Sequence, residues 1–257
     1  MHANHKIIAF ETIVIKEVRR FSRIWLQTLV PPAITIGLYF VIFGNLIGSR
    51  IGDMGGFDYM EYIVPGLIMM SVIQNSYSNV VSSFFSHKFQ RSVEELLVSP
   101  VPNYVILCGF VVGGMARGLA VGIIVTIMSL FFADLSIQNI PLTIAVVLMT
   151  SIVFSLAGFI NALFANNFDD ISIIPTFVLT PLIYLGGVFY SIQLLPPFWR
   201  FVSSFNPIFY MVNTFRYGIL GTSDVDIVWA LFVLVGFIVV LFTACLVFLR
   251  RGTGLRQ

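Results

Sequence analysis

Long stretches with very few charges limit how this chain can fold. The segments 24–47, 59–85, 104–132, 142–164, 171–190 and 228–249 are almost entirely apolar. A bilayer core about 30 Å thick needs about 20 such residues per helix, so we predict six membrane-spanning helices. Charged residues make up 10% of the 257 residues, against about 25% in soluble domains. The fold class is therefore an all-α polytopic membrane protein, with a single transmembrane domain over 1–257.

The segment before the first span, 6–23, predicts an amphipathic helix. Ile7, Phe10, Val14, Val18 and Phe21 recur at spacings of three and four, and the basic residues lie largely off that stripe. A basic helix of this kind lies in the lipid headgroup layer. A solvated helix packed on a partner fits the segment equally well.

The most polar internal segment, 87–100, predicts a short cytoplasmic helix that Ser86 caps and Pro100 ends. One interpretation is a docking helix for a soluble partner. Its apolar anchors would be Phe89, Val93, Leu96 and Leu97, and its polar contacts Lys88, Arg91, Glu94 and Glu95. A solvated connector between two spans fits the periodicity equally well.

The segment between the fifth and sixth spans is apolar but interrupted by Pro196, Pro197 and Pro207. Its two apolar pieces are each shorter than a span. Because irregular backbone cannot face lipid, this favours a re-entrant or interfacial helical pair over 191–221.

The lysines and arginines predict the orientation. With six spans, ten of the 14 lie on the side that holds both termini and 87–100, while Arg50, Arg200 and Arg216 lie on the other and Arg117 lies within a span. Basic residues concentrate on the cytoplasmic side. We therefore predict cytoplasmic termini, with 87–100 and the loop at 168–170 on the same side.

Arg117 is the one basic residue that cannot be moved out of a span. The apolar stretches on either side, 103–116 and 118–133, are each too short to cross a membrane. An arginine near the centre of a span costs about 2.5–3.5 kcal/mol. It either faces a water-filled cavity or an anionic headgroup, or packs against polar groups or snorkels toward the cytoplasmic interface. The pattern alone favours the second explanation.

Three spans carry packing or pathway signals. Glycines from Gly109 to Gly122 occur at overlapping GxxxG spacings, which let another helix of this chain or of a second copy approach closely. The second span has one polar face. Such a face either forms hydrogen bonds with neighbouring helices or lines a path for a partly polar solute, and the first is the commoner case. That face consists of Ser71, Asn75, Ser78 and Ser82. In the fifth span, Pro175, Pro181 and the pair at 186–187 predict a kinked helix.

The sequence contains no motif that indicates an enzyme. None of the three lysines follows a glycine, so the chain has no phosphate-binding loop ending in Gly-Lys-Ser/Thr. No HExxH motif and no embedded nucleophile and base are present. Cys108 and Cys245 lie in apolar runs and are interpreted as apolar fillers. We predict no metal, no cofactor on this chain and, at a net charge of +2, no nucleic-acid partner.

The order of these features resembles the permease subunit of type-2 ABC exporters over essentially the whole chain. The basic amphipathic helix and six spans come with R-x-x-E-E-L-L-x-x-P at 91–100 and NP...FRYG at 206–218. Stretches such as IWLQTLVPP and PTFVLTPLIYLGGVFYS are especially similar to Gram-negative inner-membrane permeases without an assigned substrate.

The resemblance implies partners and roles. Two permease copies, as a homodimer, would pair with two separate ATP-binding subunits that carry ATP and Mg²⁺. The helix around Lys88 to Leu97 would be the coupling helix. A second contact would involve Phe168, Asp169 and Asp170. The first, second and fifth spans would line the pathway, making Ser71, Asn75, Ser78, Ser82, Pro175 and Pro181 its candidate lining. An outer gate would comprise Trp199, Asn206, Tyr210, Arg216 and Tyr217.

The family-level expectation for the cargo is an amphipathic lipid, glycan-lipid or hydrophobic drug-like compound, with membrane lipids as further partners. An ATP-independent channel or secondary carrier would need no docking helix. A membrane assembly scaffold would show no coupling between nucleotide and substrate. A membrane-bound enzyme would need the embedded acid and base that this chain lacks.

Overall fold

The computed structural model describes residues 2–48, 50 and 52–254, and no β-strand occurs in this part of the chain. The α-helices are α1 (His2–Arg23), α2 (Trp25–Thr28), α3 (Val30–Val41), α4 (Tyr59–Phe89), α5 (Ser92–Val98), α6 (Asn103–Ser129), α7 (Ile140–Phe164), α8 (Asp170–Ile174), α9 (Thr180–Leu185), α10 (Pro197–Ser204), α11 (Pro207–Leu220) and α12 (Ile227–Arg251). A π-helical segment, Ile42–Gly48, follows α3, and a second, Pro175–Leu179, follows α8. A short 3₁₀ turn, Ile192–Leu194, precedes α10.

Among the described residues, four helical stretches are long and apolar enough to cross a membrane: Trp25–Gly44, Asn103–Ser129, Ile140–Phe164 and Ile227–Arg251. They coincide within a few residues with four of the predicted spans, so the prediction of a helical, multi-pass membrane protein is confirmed. A further apolar stretch, Asp170–Leu185, is shorter. The count of six spans and the membrane position of α10 and α11 stay predictions.

The second predicted span, α4, is the central helix of the fold. Its 31 residues make it about 46 Å long, and most of them are buried against α6 and α7. Protein covers much of this helix, so it can carry polar residues that lipid would not tolerate. The Asp58 carboxylate starts the helix by accepting a hydrogen bond from the Met60 amide, 3.0 Å away.

Glycines let the neighbouring helices approach α4 closely. A Cβ added to Gly158 of α7 would lie 2.6 Å from the Tyr77 carbonyl oxygen, and one added to Gly118 of α6 would collide with the Ser76 side chain. The partner of these small-residue faces is therefore another helix of the same chain.

The N-terminal helix α1 packs on α6 and α4. A Cβ added to Gly113 would lie 2.5 Å from Cβ of Glu17. Glu17 is only 1% exposed and accepts a hydrogen bond from the Ser83 hydroxyl at 2.6 Å. Arg20 lies 3.4 Å from the Glu17 carboxylate and donates to the side-chain oxygen of Asn79 at 2.8 Å. Packing within the chain therefore positions α1.

The fifth predicted span contains a π-helical turn that begins at the first of its prolines, Pro175, and its predicted kink stays a prediction. Its helical part starts at Asp170 and passes through the π-helical turn at Pro175–Leu179. It ends at Leu185, since Gly186 and Gly187 turn the chain and Gly187 has a φ of +74°. The prediction that this span extends over 171–190 was therefore too long at its C-terminal end.

The cytoplasmic segment 87–100 differs from its prediction. Helix α4 continues through Ser86, whose hydroxyl donates to the Ser82 carbonyl at 2.7 Å, and ends at Phe89. Arg91 then adopts a left-handed conformation with a φ of 59°, and α5 begins at Ser92. The prediction of one helix over 87–100 capped by Ser86 was therefore wrong, because the chain turns sharply at 90–91.

Candidate functional site

Two exposed phenylalanines bring both predicted partner contacts together at one end of the molecule. Phe89, 61% exposed at the end of α4, and Phe168, 52% exposed before α8, have ring centroids 5.0 Å apart. Phe85 packs against this pair, and its ring centroid lies 4.9 Å from that of Phe168. We call Phe89 and Phe168 the aromatic pair. The two segments thus present one continuous surface.

Helix α5 borders the aromatic pair and exposes acidic side chains. The side chains of Glu94, Glu95 and Val98 are exposed, and the exposed fraction of Val98 is 87%. Of the predicted apolar anchors, Val93 is buried and Leu96 packs partly against the core. These two therefore attach α5 to its own chain. The side chain of Leu97 lies outside the described residues, while Arg91 is exposed in the turn before α5.

Lys88 lies inside the protein, in contrast to its predicted role as a polar contact. Its ammonium group donates to the carbonyl oxygens of Leu163 and Ala165 at 2.7 and 2.6 Å, at the end of α7. Burial lowers the pKa of Lys88 below its ordinary value, and the charge of Asp170 opposes that change. Lys88 thus joins the ends of α4 and α7 beneath the aromatic pair.

His87, just beyond the predicted second span, links α4 to α5. Its Nδ1 lies 2.8 Å from the Ser92 hydroxyl. Burial, with the charges of Lys16 and Arg20, lowers the pKa of His87 to about 4. The imidazole is therefore neutral near pH 7, which suits a position beside two cations.

The acidic residues at 169–170 divide between structure and surface. Asp170 accepts hydrogen bonds from the amides of Asn166 and Asn167, at 2.8 and 3.3 Å, and so shapes the loop. Asp169 is exposed. Of the predicted second contact, Phe168 and Asp169 remain available to a partner.

A polar cavity of about 290 Å³ unites Arg117 with the polar face of α4. The guanidinium Nη2 donates to the Asn75 side-chain oxygen at 3.2 Å and more weakly to the Thr28 carbonyl at 3.4 Å. Ser71, Gln74, Asn75 and Ser78 line one wall; Gln27, Pro31, Pro32, Thr35 and Ile36 line the other. Arg117 therefore packs on polar groups and also lines a cavity, while a role for it toward water or an anionic headgroup stays a prediction.

The remaining predicted pathway residues lie elsewhere. Ser82, Pro175 and Pro181 are not among the residues lining this cavity. The hydroxyls of Ser71 and Ser82 donate to carbonyls of α4 itself, at 2.7 and 3.2 Å, and not to neighbouring helices. Serine in a helix often bonds in this way, so a serine stripe alone does not identify an interhelical contact.

A second cavity, of about 510 Å³, lies at the other end of α4 beside α11. Arg216 lines it but is only 1% exposed. Its guanidinium donates to the Gly187 carbonyl at 2.7 Å and lies 4.0 Å from the centre of the Tyr62 ring. Across the cavity, Asp224 accepts a hydrogen bond from the Ser191 hydroxyl at 2.9 Å.

The predicted outer gate separates into buried and exposed residues. Asn206, like Arg216, is buried, and its side-chain amide donates to the Leu182 carbonyl at 2.6 Å. These two residues hold α11 against the end of the fifth span. Trp199 and Tyr217 are exposed, while the Tyr210 hydroxyl donates to the Ser204 carbonyl at 2.7 Å.

Several polar residues of the site are not evident from sequence patterns. Glu17, Asn79 and Ser83 form the buried network of α1, and Asp224 faces the second cavity. The available signal is the position of Glu17, an acidic residue four positions before Phe21, on the apolar stripe of the predicted amphipathic helix. In the described ranges, no group of three or more His, Cys, Asp or Glu side chains could hold a metal.

Comparison with known proteins decides the family. Residues 8–220 match the model of the family described as ABC-2 type transporter. The chain belongs to this family. The ABC-2 chain is 60% identical to the inner membrane transport permease YadH of Escherichia coli (strain K12), over 97% of this chain and 98% of that protein. It is 24% identical to nodulation protein J of Neorhizobium galegae, over 86% of this chain and 87% of that protein.

Family membership explains the architecture. The chain is an ABC-2 type permease, the membrane component of its transporter, and ABC-2 permeases generally pair with an ATP-binding subunit. The resemblance in sequence to the type-2 ABC permeases is confirmed. The surface at the aromatic pair and the cavity at Arg117 are the two candidate functional features of this ABC-2 chain.

Proposed function

We propose that this chain is the permease subunit of an ATP-driven exporter in the bacterial inner membrane, where two copies form the pathway and two separate subunits hydrolyse ATP. Its cargo is an amphipathic or hydrophobic compound such as a lipid, glycan-lipid or drug-like molecule. The name of the 60% identical relative, an inner membrane transport permease, supports the location and the transport role.

The observation that carries this proposal is the surface at the aromatic pair. Phe89 and Phe168 come from separate segments, yet their exposed rings are in contact beside the acidic side of α5. Large exposed aromatic side chains that meet beside a polar rim are typical of protein interfaces. The exposed positions on this surface have the residue types that a soluble partner would bind.

The proposed topology has six spans and cytoplasmic termini, which places the aromatic pair and α5 in the cytoplasm. Helices α10 and α11 form the re-entrant or interfacial pair on the outer side, and Trp199 and Tyr217 border the exit. The excess of lysine and arginine on the inner side supports this orientation.

The proposed mechanism moves α4 by a push at its inner end. When the ATP-binding subunits close, they displace α5 and the aromatic pair. Lys88 and His87 transmit the displacement, because they join this surface to α7 and α4 through short hydrogen bonds. Since α4 also forms a wall of the Arg117 cavity, the same helix can change access to that cavity.

Co-expression with the ATP-binding subunit of the same transporter tests the proposed function. We expect the two chains to co-purify and ATP turnover by the pair to exceed that of the soluble subunit alone. A permease that transports its cargo in vesicles without any ATP-binding subunit would be a channel or secondary carrier. That result would contradict the proposal.

A further inference from the structure

The charge of Arg117 has no counterion in the described part of the chain. Its hydrogen bonds go to the Asn75 amide oxygen and the Thr28 carbonyl, which are both neutral, and its buried Nε has no partner. The only ion pair among the described residues joins Arg20 to Glu17. Arg20 itself carries a charge of the same sign near Arg117. The guanidinium is thus an uncompensated cation within the predicted third span.

The cavity around Arg117 is rich in hydrogen-bond donors and has no carboxylate. Its polar lining consists of hydroxyls and amides, from Ser71, Ser78, Thr35, Gln27, Gln74 and Asn75. The Ser71 hydroxyl and the Asn75 amide already donate to backbone carbonyls. A carboxylate or phosphate would supply the missing negative charge and accept from the donors that remain, which belong to Ser78, Thr35, Gln27 and Gln74. The planar guanidinium matches such oxyanions well, and a low-dielectric setting strengthens the attraction.

The wall formed by α2 and α3 connects the cavity with an apolar surface. Gln27 of α2 and Pro31 and Thr35 of α3 line this cavity, and all three are exposed. Ile34 and Leu38 of α3 are also exposed. A molecule with its acidic head at Arg117 can therefore extend an alkyl chain along α3.

We propose that the cavity around Arg117 binds the anionic headgroup, a phosphate or carboxylate, of an amphiphile whose alkyl chain lies along α3. The inference extends the proposed function, since it specifies an acidic amphiphile as cargo if the bound molecule is transported. The same chemistry would also bind a resident acidic lipid of the membrane.

Binding to the permease in phosphatidylcholine nanodiscs tests the site. The probe is dodecyl phosphate, compared with dodecyl phosphocholine, which has the same chain and no net charge. The wild type should prefer the phosphate by tenfold or more, and Arg117→Gln should lose that preference. Arg200→Gln, which removes an exposed arginine outside the cavity, should retain it.

Asn75→Asp keeps the test independent of folding defects in the arginine variant. It places a carboxylate where the amide oxygen already accepts from Arg117, and so supplies an internal counterion, although it removes the hydrogen bond that the amide nitrogen donates to the Ser71 carbonyl at 2.9 Å. We expect this variant to keep a cooperative melting transition, because the new ion pair offsets the lost hydrogen bond, and to lose the preference for dodecyl phosphate. An unchanged preference in Asn75→Asp, or no preference in the wild type, would overturn the proposal.

The rate of ATP hydrolysis by the complete complex distinguishes transported cargo from a resident membrane lipid as the source of the anion. If the anion is cargo, dodecyl phosphate should stimulate ATP turnover in the wild type and in Arg200→Gln, but not in Asn75→Asp. If it is a resident lipid, the binding preference persists without stimulation. Failure of the chain to form any complex with an ATP-binding subunit would contradict the proposed function and leave the binding result standing.

Discussion

Phe89→Ala combined with Phe168→Ala should abolish co-purification of the ATP-binding subunit and the ATP turnover that depends on the complex. Both rings are more than half exposed and touch each other, so the double change removes an aromatic centre from the proposed interface. Truncating a central aromatic residue costs about 2 kcal/mol or more at an interface. Two such losses weaken binding by about a thousandfold if they add.

A matched variant distinguishes an interface defect from a general loss of aromatic surface. Phe131→Ala with Phe198→Ala also removes two exposed rings, on segments that the proposed topology places at the outer side. We expect the complex and its turnover to be retained in this control. Pull-down and phosphate release measure both quantities, and a complex that survives loss of the aromatic pair would refute the docking surface.

Gly158→Val should prevent accumulation of the folded protein. The new Cβ would lie 2.6 Å from the backbone oxygen of Tyr77, and a backbone atom in a central helix cannot rotate away as a side chain can. Overpacking in a core typically lowers the free energy of unfolding by about 1–3 kcal/mol. A collision with the backbone costs an amount at the upper end of this range or above it. The monodisperse yield from size-exclusion chromatography measures the effect.

Gly236 provides the control for this substitution. It lies in α12, one of the four long apolar stretches, and a Cβ added there meets nothing within 4 Å. Gly236→Val should therefore leave the yield and melting temperature close to those of the wild type. Equal yields for the two variants would show that the crossing of α4 and α7 is not close-packed.

The sequence predicts long helices well where one apolar run is long enough to cross lipid. The spans at 104–132, 142–164 and 228–249 coincide with α6, α7 and α12 to within a few residues, because the length of the apolar run determines the length of such a helix. Helix α4 shows the limit of this reasoning. It is 31 residues long and mostly buried, so packing against protein and not hydropathy determines its residues.

Side-chain roles near helix ends were harder to predict than the helices. Lys88 resembles a surface contact in the sequence, yet its ammonium bonds to two carbonyls at the end of α7, 75 and 77 residues away. Arg216 likewise reaches the Tyr62 carbonyl across 154 residues. No local pattern encodes such distant partners. A cavity beside Arg117 is one of two explanations that the sequence allows for an arginine within a span. Only the structure shows that Asn75 and Gln27 line that cavity together.

Labelling of a single cysteine at Val98 tests most directly the claim that an ATP-binding subunit drives this permease from its inner side. Val98 is 87% exposed at the end of α5, and replacing Cys108 and Cys245 by alanine leaves Val98→Cys as the only thiol. A membrane-impermeant maleimide should label it in inside-out vesicles but not in right-side-out vesicles, and the bound ATP-binding subunit should block the reaction. Labelling in right-side-out vesicles, or full labelling in the presence of the bound subunit, would contradict the account.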